Sequence, residues 1–175
     1  MKKIWFIGES IVLIALDQSL KLYTEQNLNP GEEKHLTDRI VLRRVKNKGM
    51  CLNLLQDRPE VVKKLSAFAA LAVTAVQAAG LFRKGHFFRK NGLALLSAGA
   101  WSNTFDRWTR GGVADYIGIK CSNEKMSAIT YNLADLFIFA GNVILAASAF
   151  FSGGKRKNRK SEKNIIRSKS WKGKI

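Results

Sequence analysis

Residues 99–120 read GAWSNTFDRWTRGGVADYIGIK, and residues 129–135 read ITYNLAD before a long apolar run. An apolar helix therefore ends in Asn103, Asp106 and Arg107, and Gly111-Gly112 turns the chain towards Asp115. Twenty residues beyond Asp115, Asp135 opens the next apolar segment together with Asn132. Asn103 and Arg107 are four apart and Asn132 and Asp135 three apart, so each pair shares a helix face. Single polar residues at the ends of apolar helices are ordinary interfacial caps. Two clusters that both keep carboxylate and amide groups point to chemistry.

The 175 residues suggest one domain. A net charge of +17 from 30 basic and 13 acidic residues would ordinarily prompt a nucleic-acid reading. Its distribution argues against that class. Apolar stretches of membrane length alternate with polar ones, and the mean hydropathy of -0.11 averages the two. Cys51 and Cys121 are too few and too far apart for a metal site or a disulfide framework, and read as lone thiols. His35 and His86 stand apart from every cluster. The N-terminus, MKKIWFIGESIVLIALDQSLK, has the basic start and apolar core of a signal peptide but no small-residue cleavage pattern. It reads as a retained transmembrane helix, with Glu9 an unusual member.

Four membrane helices are predicted, over residues 4–22, 65–82, 91–105 and 132–151. A hydrocarbon core about 30 Å thick calls for ~20 helical residues. The third segment reaches that length only with Asn103 and Asp106 at its wet end. Between the first two helices, residues 39–45 (RIVLRRV) read as a strand, and Pro59 marks entry to a helix along the interface. Lys2, Lys3, Arg83, Lys84, Arg89, Lys90 and the basic tail fall on one side, which the distribution of lysine and arginine makes cytoplasmic. Both termini are then inside. Asp17, Asn103, Arg107, Asp115, Asn132 and Asp135 all gather at the outer face.

Ionisable groups at membrane depth cost a few kcal/mol each (about 2.5–3.5 on insertion scales), which makes them functional candidates. No serine–histidine or cysteine–histidine pair can be assembled from this topology. Without histidine or paired cysteines, carboxylates and Asn would make only a weak metal site, and none is expected. Two aspartates remain. Close together in a low-dielectric site they do not both ionise, so one serves as acid and the other as base. That arrangement activates water against a peptide carbonyl.

Four motifs now stand in order. They are Asp17-Gln18-Ser19-Leu20-Lys21 late in the first helix, Asn47-Lys48-Gly49 in the outer segment, the run from Asn103 through Asp106-Arg107 to Asp115-Tyr116, and Tyr131-Asn132-Leu133-Ala134-Asp135. Together they resemble the lipoprotein signal peptidases, the signal peptidase II family of bacterial membrane aspartyl proteases. The resemblance covers about residues 4–151. It implies that Asp115 and Asp135 form a catalytic dyad and that Asp17, Asn47, Gly49, Asn103, Arg107 and Asn132 line the substrate site, holding the substrate backbone or steadying the aspartates. It further implies cleavage of diacylglyceryl-modified prolipoproteins before the lipidated cysteine, with no cofactor. The chain departs from the family pattern at Met50-Cys51-Leu52, at Trp101-Ser102, at Glu9, and in lacking a proline before the last motif. The alternative reading is a catalytically idle relative that binds lipidated precursors or serves as a membrane scaffold.

The expected architecture is thus mainly α and integral to the membrane, with four transmembrane helices and a small extracytoplasmic β-cradle between helices one and two. A protease domain spans 1–153, its outer β-rich segment about 23–62, followed by a disordered basic tail over 154–175. The tail carries ten basic residues and one acid, Glu162. Its expected partner is the anionic inner leaflet and not nucleic acid, at about 1 kcal/mol per basic residue. The chain is expected to act as a monomer.

Overall fold

The computed structural model describes residues 2–50, 54–83 and 85–151. The expected tail and most of the Met50-Cys51-Leu52 departure lie outside these residues. Four long helices, α1 (Lys2–Asn27), α2 (Pro59–Leu81), α3 (Phe87–Thr109) and α5 (Leu133–Phe151), carry the fold. Strands β1 (Glu33–His35) and β2 (Ile40–Asn47) follow α1, while β3 (Val113–Ile119), the short helix α4 (Glu124–Ser127) and β4 (Thr130–Tyr131) connect α3 to α5. α2 and α5 are long and apolar enough to cross a membrane by length and composition. α1 and α3 carry internal charges, among them Glu9, Asp17, Lys21, Asp106 and Arg107, which lower their hydropathy.

α1, α2 and α3 are longer than expected, while α5 starts one residue later than expected. α1 runs to Asn27 because Thr24 and Asn27 bond back to backbone carbonyls four residues earlier, so polar side chains extend the last turn. α2 starts at Pro59 and continues without interruption, so the separate interfacial helix expected before the second span is absent. Proline at the first helical position lacks only an N–H that has no intrahelical partner.

The sheet corrects the expected cradle. It is four-stranded and antiparallel, in the order β1-β2-β3-β4, and half of it comes from the α3–α5 connection. A β-bulge between Leu42 and Val45 shifts the β2–β3 register, so that Val45 pairs with Asp115 and Asn47 with Val113. Glu33 ties the sheet edge by accepting from Arg43 and Lys120, both at 2.6 Å. Those two cations hold its carboxyl below the usual carboxylate range, the Lys120 hydrogen bond being the larger cause.

α3 is the central helix. On one side it meets α5 closely: a Cβ on Gly99 would lie 2.3 Å from the Ala134 carbonyl oxygen, and one on Gly141 would lie 2.7 Å from that of Gly92. Small residues let two backbones approach and gain dispersion where no hydrophobic effect separates helix from lipid. The neighbour of Gly99 is the backbone that leads directly into Asp135. Gly99→Ala is therefore expected to push the start of α5 outward and to cost about 1–3 kcal/mol, read as a lower melting temperature. Gly80→Ala, whose Cβ would meet only Leu93 at 3.5 Å, is the control with an unchanged melting temperature.

Trp101 and Ser102 do not obstruct this packing. Trp101 Nε1 donates to Thr74 Oγ1 of α2 at 2.8 Å, and Ser102 is buried against α1. The close approach occurs at Gly99 instead, two residues before Trp101 and three before Ser102. Glu9 is half-buried in α1, with Oε2 lacking a hydrogen-bond partner among the described residues.

Candidate active site

Asp115 is placed by a strand. Because successive strand residues face opposite ways, β3 sends Asp115 to one side and Tyr116 to the other. Asn47 lies on the same face as Asp115, one diagonal step away on β2. Its Nδ2 donates to Asp115 Oδ2 at 3.2 Å, while Asn132 Nδ2 donates to Asp115 Oδ1 at 2.6 Å. Burial is the main cause that pushes the Asp115 carboxyl up to about 7, and the neighbouring Asp135 adds like-charge repulsion. The two amide hydrogen bonds offset part of this rise.

Asp135 is placed by a helix start. Asn132 precedes α5, its Oδ1 accepting from the Asp135 N–H at 2.8 Å, and its own N–H donates to Asp135 Oδ2 at 3.2 Å. This reciprocal pair is a capping box, which fixes the carboxylate at the N-terminus where the helix dipole favours negative charge. Asn103 Nδ2 donates to the other oxygen, Oδ1, at 2.9 Å. Asn132 thus touches both aspartates. Asp135 is half-buried and Asp115 nearly fully buried.

Arg107, one turn beyond Asn103, donates to the Gly49 carbonyl at 2.9 Å and to the Asn103 carbonyl at 3.2 Å. Its Nε is buried without a partner among the described residues. The guanidinium interacts electrostatically with both Asp115 and Asp135. Asn47 Oδ1 accepts from the Gly49 N–H at 2.9 Å, closing the turn that presents this carbonyl to Arg107. Six of the expected site residues, Asn47, Gly49, Asn103, Arg107, Asn132 and Asp135, thus connect through hydrogen bonds around Asp115.

Asp17 has a different place. It has no exposed surface, and all its hydrogen bonds go inward, to Tyr116 Oη at 3.0 Å, the Ala134 N–H at 3.2 Å and Ser102 Oγ at 2.6 Å. An ion pair to Lys21 Nζ at 2.7 Å completes its shell. Of the two places expected for Asp17, against a substrate or steadying the other aspartates, its burial fits the second, because every lone-pair direction is already occupied.

Sequence reasoning did not find the rest of that support. Lys21, fully buried, directs its ammonium to Asp17, to Asp106 at 2.8 Å and to Asn103 Oδ1 at 3.0 Å. Three donors meet three acceptors, and the last contact orients the amide that holds Asp135. Asp106 accepts in addition from Gln18 Nε2 at 2.9 Å, from the Ala114 N–H at 3.2 Å and from Arg110 Nη1. Tyr116 Oη accepts from the Leu133 N–H at 3.1 Å while donating to Asp17, and this burial raises its hydroxyl well above the ordinary tyrosine range. The available signal was spacing: Asp17 with Lys21 and Asp106 with Arg110 are i,i+4 pairs. It could not tell a surface pair from a buried one. Among the described residues no group of three or more His, Cys, Asp or Glu side chains is arranged to hold a metal ion.

The chain resembles known proteins over most of its length. The family described as signal peptidase (SPase) II matches residues 10–151. A lipoprotein signal peptidase of Sulfurihydrogenibium sp. (strain YO3AOP1) is 29% identical over 154 residues, covering 86% of this chain and 93% of the relative. That of Clostridioides difficile (strain 630) is 31% identical over 146 residues, covering 81% of this chain and 91% of its own. Two solved structures, both described as bacterial membrane enzymes, share the fold. One has a TM-score of 0.74 at 16% identity over 86% of this chain and 90% of its own. The other has a TM-score of 0.69 at 17% identity over 82% and 91%. With a match across most of its length and the carboxylate and amide groups of all four motifs joined in one hydrogen-bonded network, the chain belongs to the signal peptidase II family of lipoprotein signal peptidases.

Proposed function

We propose that the protein is an aspartic endopeptidase that removes the signal peptide from diacylglyceryl-modified prolipoproteins, cutting before the lipidated cysteine, with Asp115 and Asp135 as the catalytic pair. The observation that carries this reading is Asn132 bonded to both carboxylates, with Asn47 and Asn103 holding their other oxygens. Each aspartate keeps a defined orientation in a partly desolvated site.

Below about pH 7 Asp115, its carboxyl pushed up to about 7, holds the proton that the pair shares, and Asp135 acts as the base. Asp135 takes a proton from water as the oxygen attacks the scissile carbonyl carbon, while the Asp115 proton passes to the carbonyl oxygen. The resulting gem-diol collapses when the amide nitrogen receives the proton held by Asp135. The C–N bond breaks and one hydroxyl proton returns to Asp115, restoring the pair. Arg107, Asn103 and Gly49 stand beside the dyad, where a substrate strand would meet them. All four long helices span the membrane in this reading, with both termini cytoplasmic, the sheet on the outer surface and the dyad at the outer face. A site at that depth suits a peptide bond next to its own lipid anchor. The basic tail lies against the anionic inner leaflet.

The test is cleavage by the purified protein of one precursor with and without its diacylglyceryl group. Cutting of the modified form alone, before the lipidated cysteine, is the expected result. Equal cutting of both, or of neither while the modified form binds, would sink the reading, the second in favour of an idle binding protein. The pH dependence provides a further check. The acid role of Asp115 is fully present below its value of about 7 and is lost as pH rises through it. kcat/KM is therefore expected to fall above pH 7 by about tenfold per unit. A profile flat to pH 9 would contradict the assignment.

A further inference from the structure

At the end of the bundle opposite the sheet, α2 and α3 diverge around a cavity of about 230 Å³ that none of the chemistry above uses. Arg83, His86, Arg89 and Lys90 line its rim, and Val76, Ala79 and Leu93 its floor. Among the described residues no carboxylate lines it. Lys90 is engaged, donating to the Arg83 carbonyl at 2.7 Å, but the side chains of Arg83, His86 and Arg89 have no hydrogen-bond or ion-pair partner among the described residues.

The backbone adds to this charge. Gly85 and His86 both have positive φ, 73° and 58°, so the chain turns sharply into α3. His86 is the N-cap of that 23-residue helix and makes no side-chain capping bond, so its side chain satisfies none of the first N–H groups of α3. Unpaired guanidinium groups and free helix N–H groups together form an anion site. Phe82, Phe87 and Phe88 flank it in sequence with 77%, 61% and 71% exposure, apolar rings of the kind that suit contact with acyl chains.

We propose that this cleft binds an anionic phospholipid, its phosphate held by Arg83, Arg89 and the start of α3, and one acyl chain lying along Val76, Ala79 and Leu93. The apolar floor between two helices is what separates a lipid from a free phosphate. Placement in the bilayer is all that the inference takes from the preceding section, and it holds whichever peptide bond the enzyme cuts.

The full-length protein, released from micelles containing equal phosphatidylglycerol and phosphatidylcholine, is examined by native mass spectrometry. Phosphatidylglycerol is expected to be retained about tenfold over phosphatidylcholine, a preference lost in Arg83→Gln/Arg89→Gln. Lys64→Gln, an exposed cation near the other end of α2, is expected to keep it. Gly80→Leu extends a side chain into the cleft, where its Cβ meets Leu93 at ordinary contact distance, and is expected to reduce lipid retention with an unchanged melting temperature. Equal retention of the two lipids, or a preference unaffected by the double substitution, would overturn the proposal. So would equal retention of inorganic phosphate offered alone. Precursor cleavage by the double variant is expected to continue, so lipid binding and peptidase activity fail separately.

Discussion

Replacing Asp135 with asparagine is expected to lower precursor cleavage about a thousandfold or more while leaving the fold intact. The loss follows from proton transfer: an amide accepts no proton from water near neutrality, and general-base catalysis contributes about 10²–10⁴-fold. The intact fold follows from the local hydrogen bonds. Asp135 Oδ1 accepts from Asn103 and Oδ2 from the Asn132 N–H, and an asparagine preserves one of these, at a cost of about 1 kcal/mol. Removing a negative charge beside the buried Asp115 offsets part of that cost. Thermal melting is thus expected to move by only a few degrees, for a change of about 1 kcal/mol. Cleavage within tenfold of the parent would remove Asp135 from the mechanism. Collapse of the fold would instead assign it a structural role.

The second large effect is expected at a residue that touches no substrate. Lys21→Met keeps the volume of the side chain but removes the one cation between Asp17 and Asp106, both fully buried. Breaking a buried ion pair on one side typically costs about 3–5 kcal/mol, because the remaining charge is stranded. Here two carboxylates are left facing each other's field, and Asn103 Oδ1 loses its donor. Asp106 retains Arg110 and Asp17 retains Ser102 and Tyr116, so adding Asp106→Asn to Lys21→Met is expected to recover part of the loss. Denaturation of the single and double variants measures the coupling, expected between about 0.5 and 3 kcal/mol. Additive losses would show that the three groups do not act as one network. The exposed Glu60–Lys63 pair, 3.9 Å apart, provides the contrast, with an expected contribution below about 1 kcal/mol.

These two residues also mark the boundary between what is local and what is not. The long helices were legible as apolar stretches, because apolar residues spread along a whole segment leave their mark in its composition. The amide and carboxylate positions were legible as short motifs, since a helix places residues three and four apart on one face. Asn132 and Asp135 form their capping box within four residues, with no help from the rest of the chain.

The sheet was not legible in this way. Residues 113–119 hold the strand formers Val113, Tyr116, Ile117 and Ile119, but an aspartate and a glycine break their alternation; pairing with β2 makes them β3 and aims Asp115 at Asn132. A cradle built only from the segment after α1 would have left that aspartate on a loose loop.

From the amino-acid sequence alone came the helices, the two candidate catalytic carboxylates and the amides beside them, all properties of neighbours along the chain. Tertiary structure decided that Asp17 supports from below, that Lys21 joins α1 to α3 through three acceptors, and that Gly99 sets the depth of Asp135. Those outcomes depend on which groups share a desolvated space, and residues as far apart as Asp17 and Ala134 meet there only after the helices have packed.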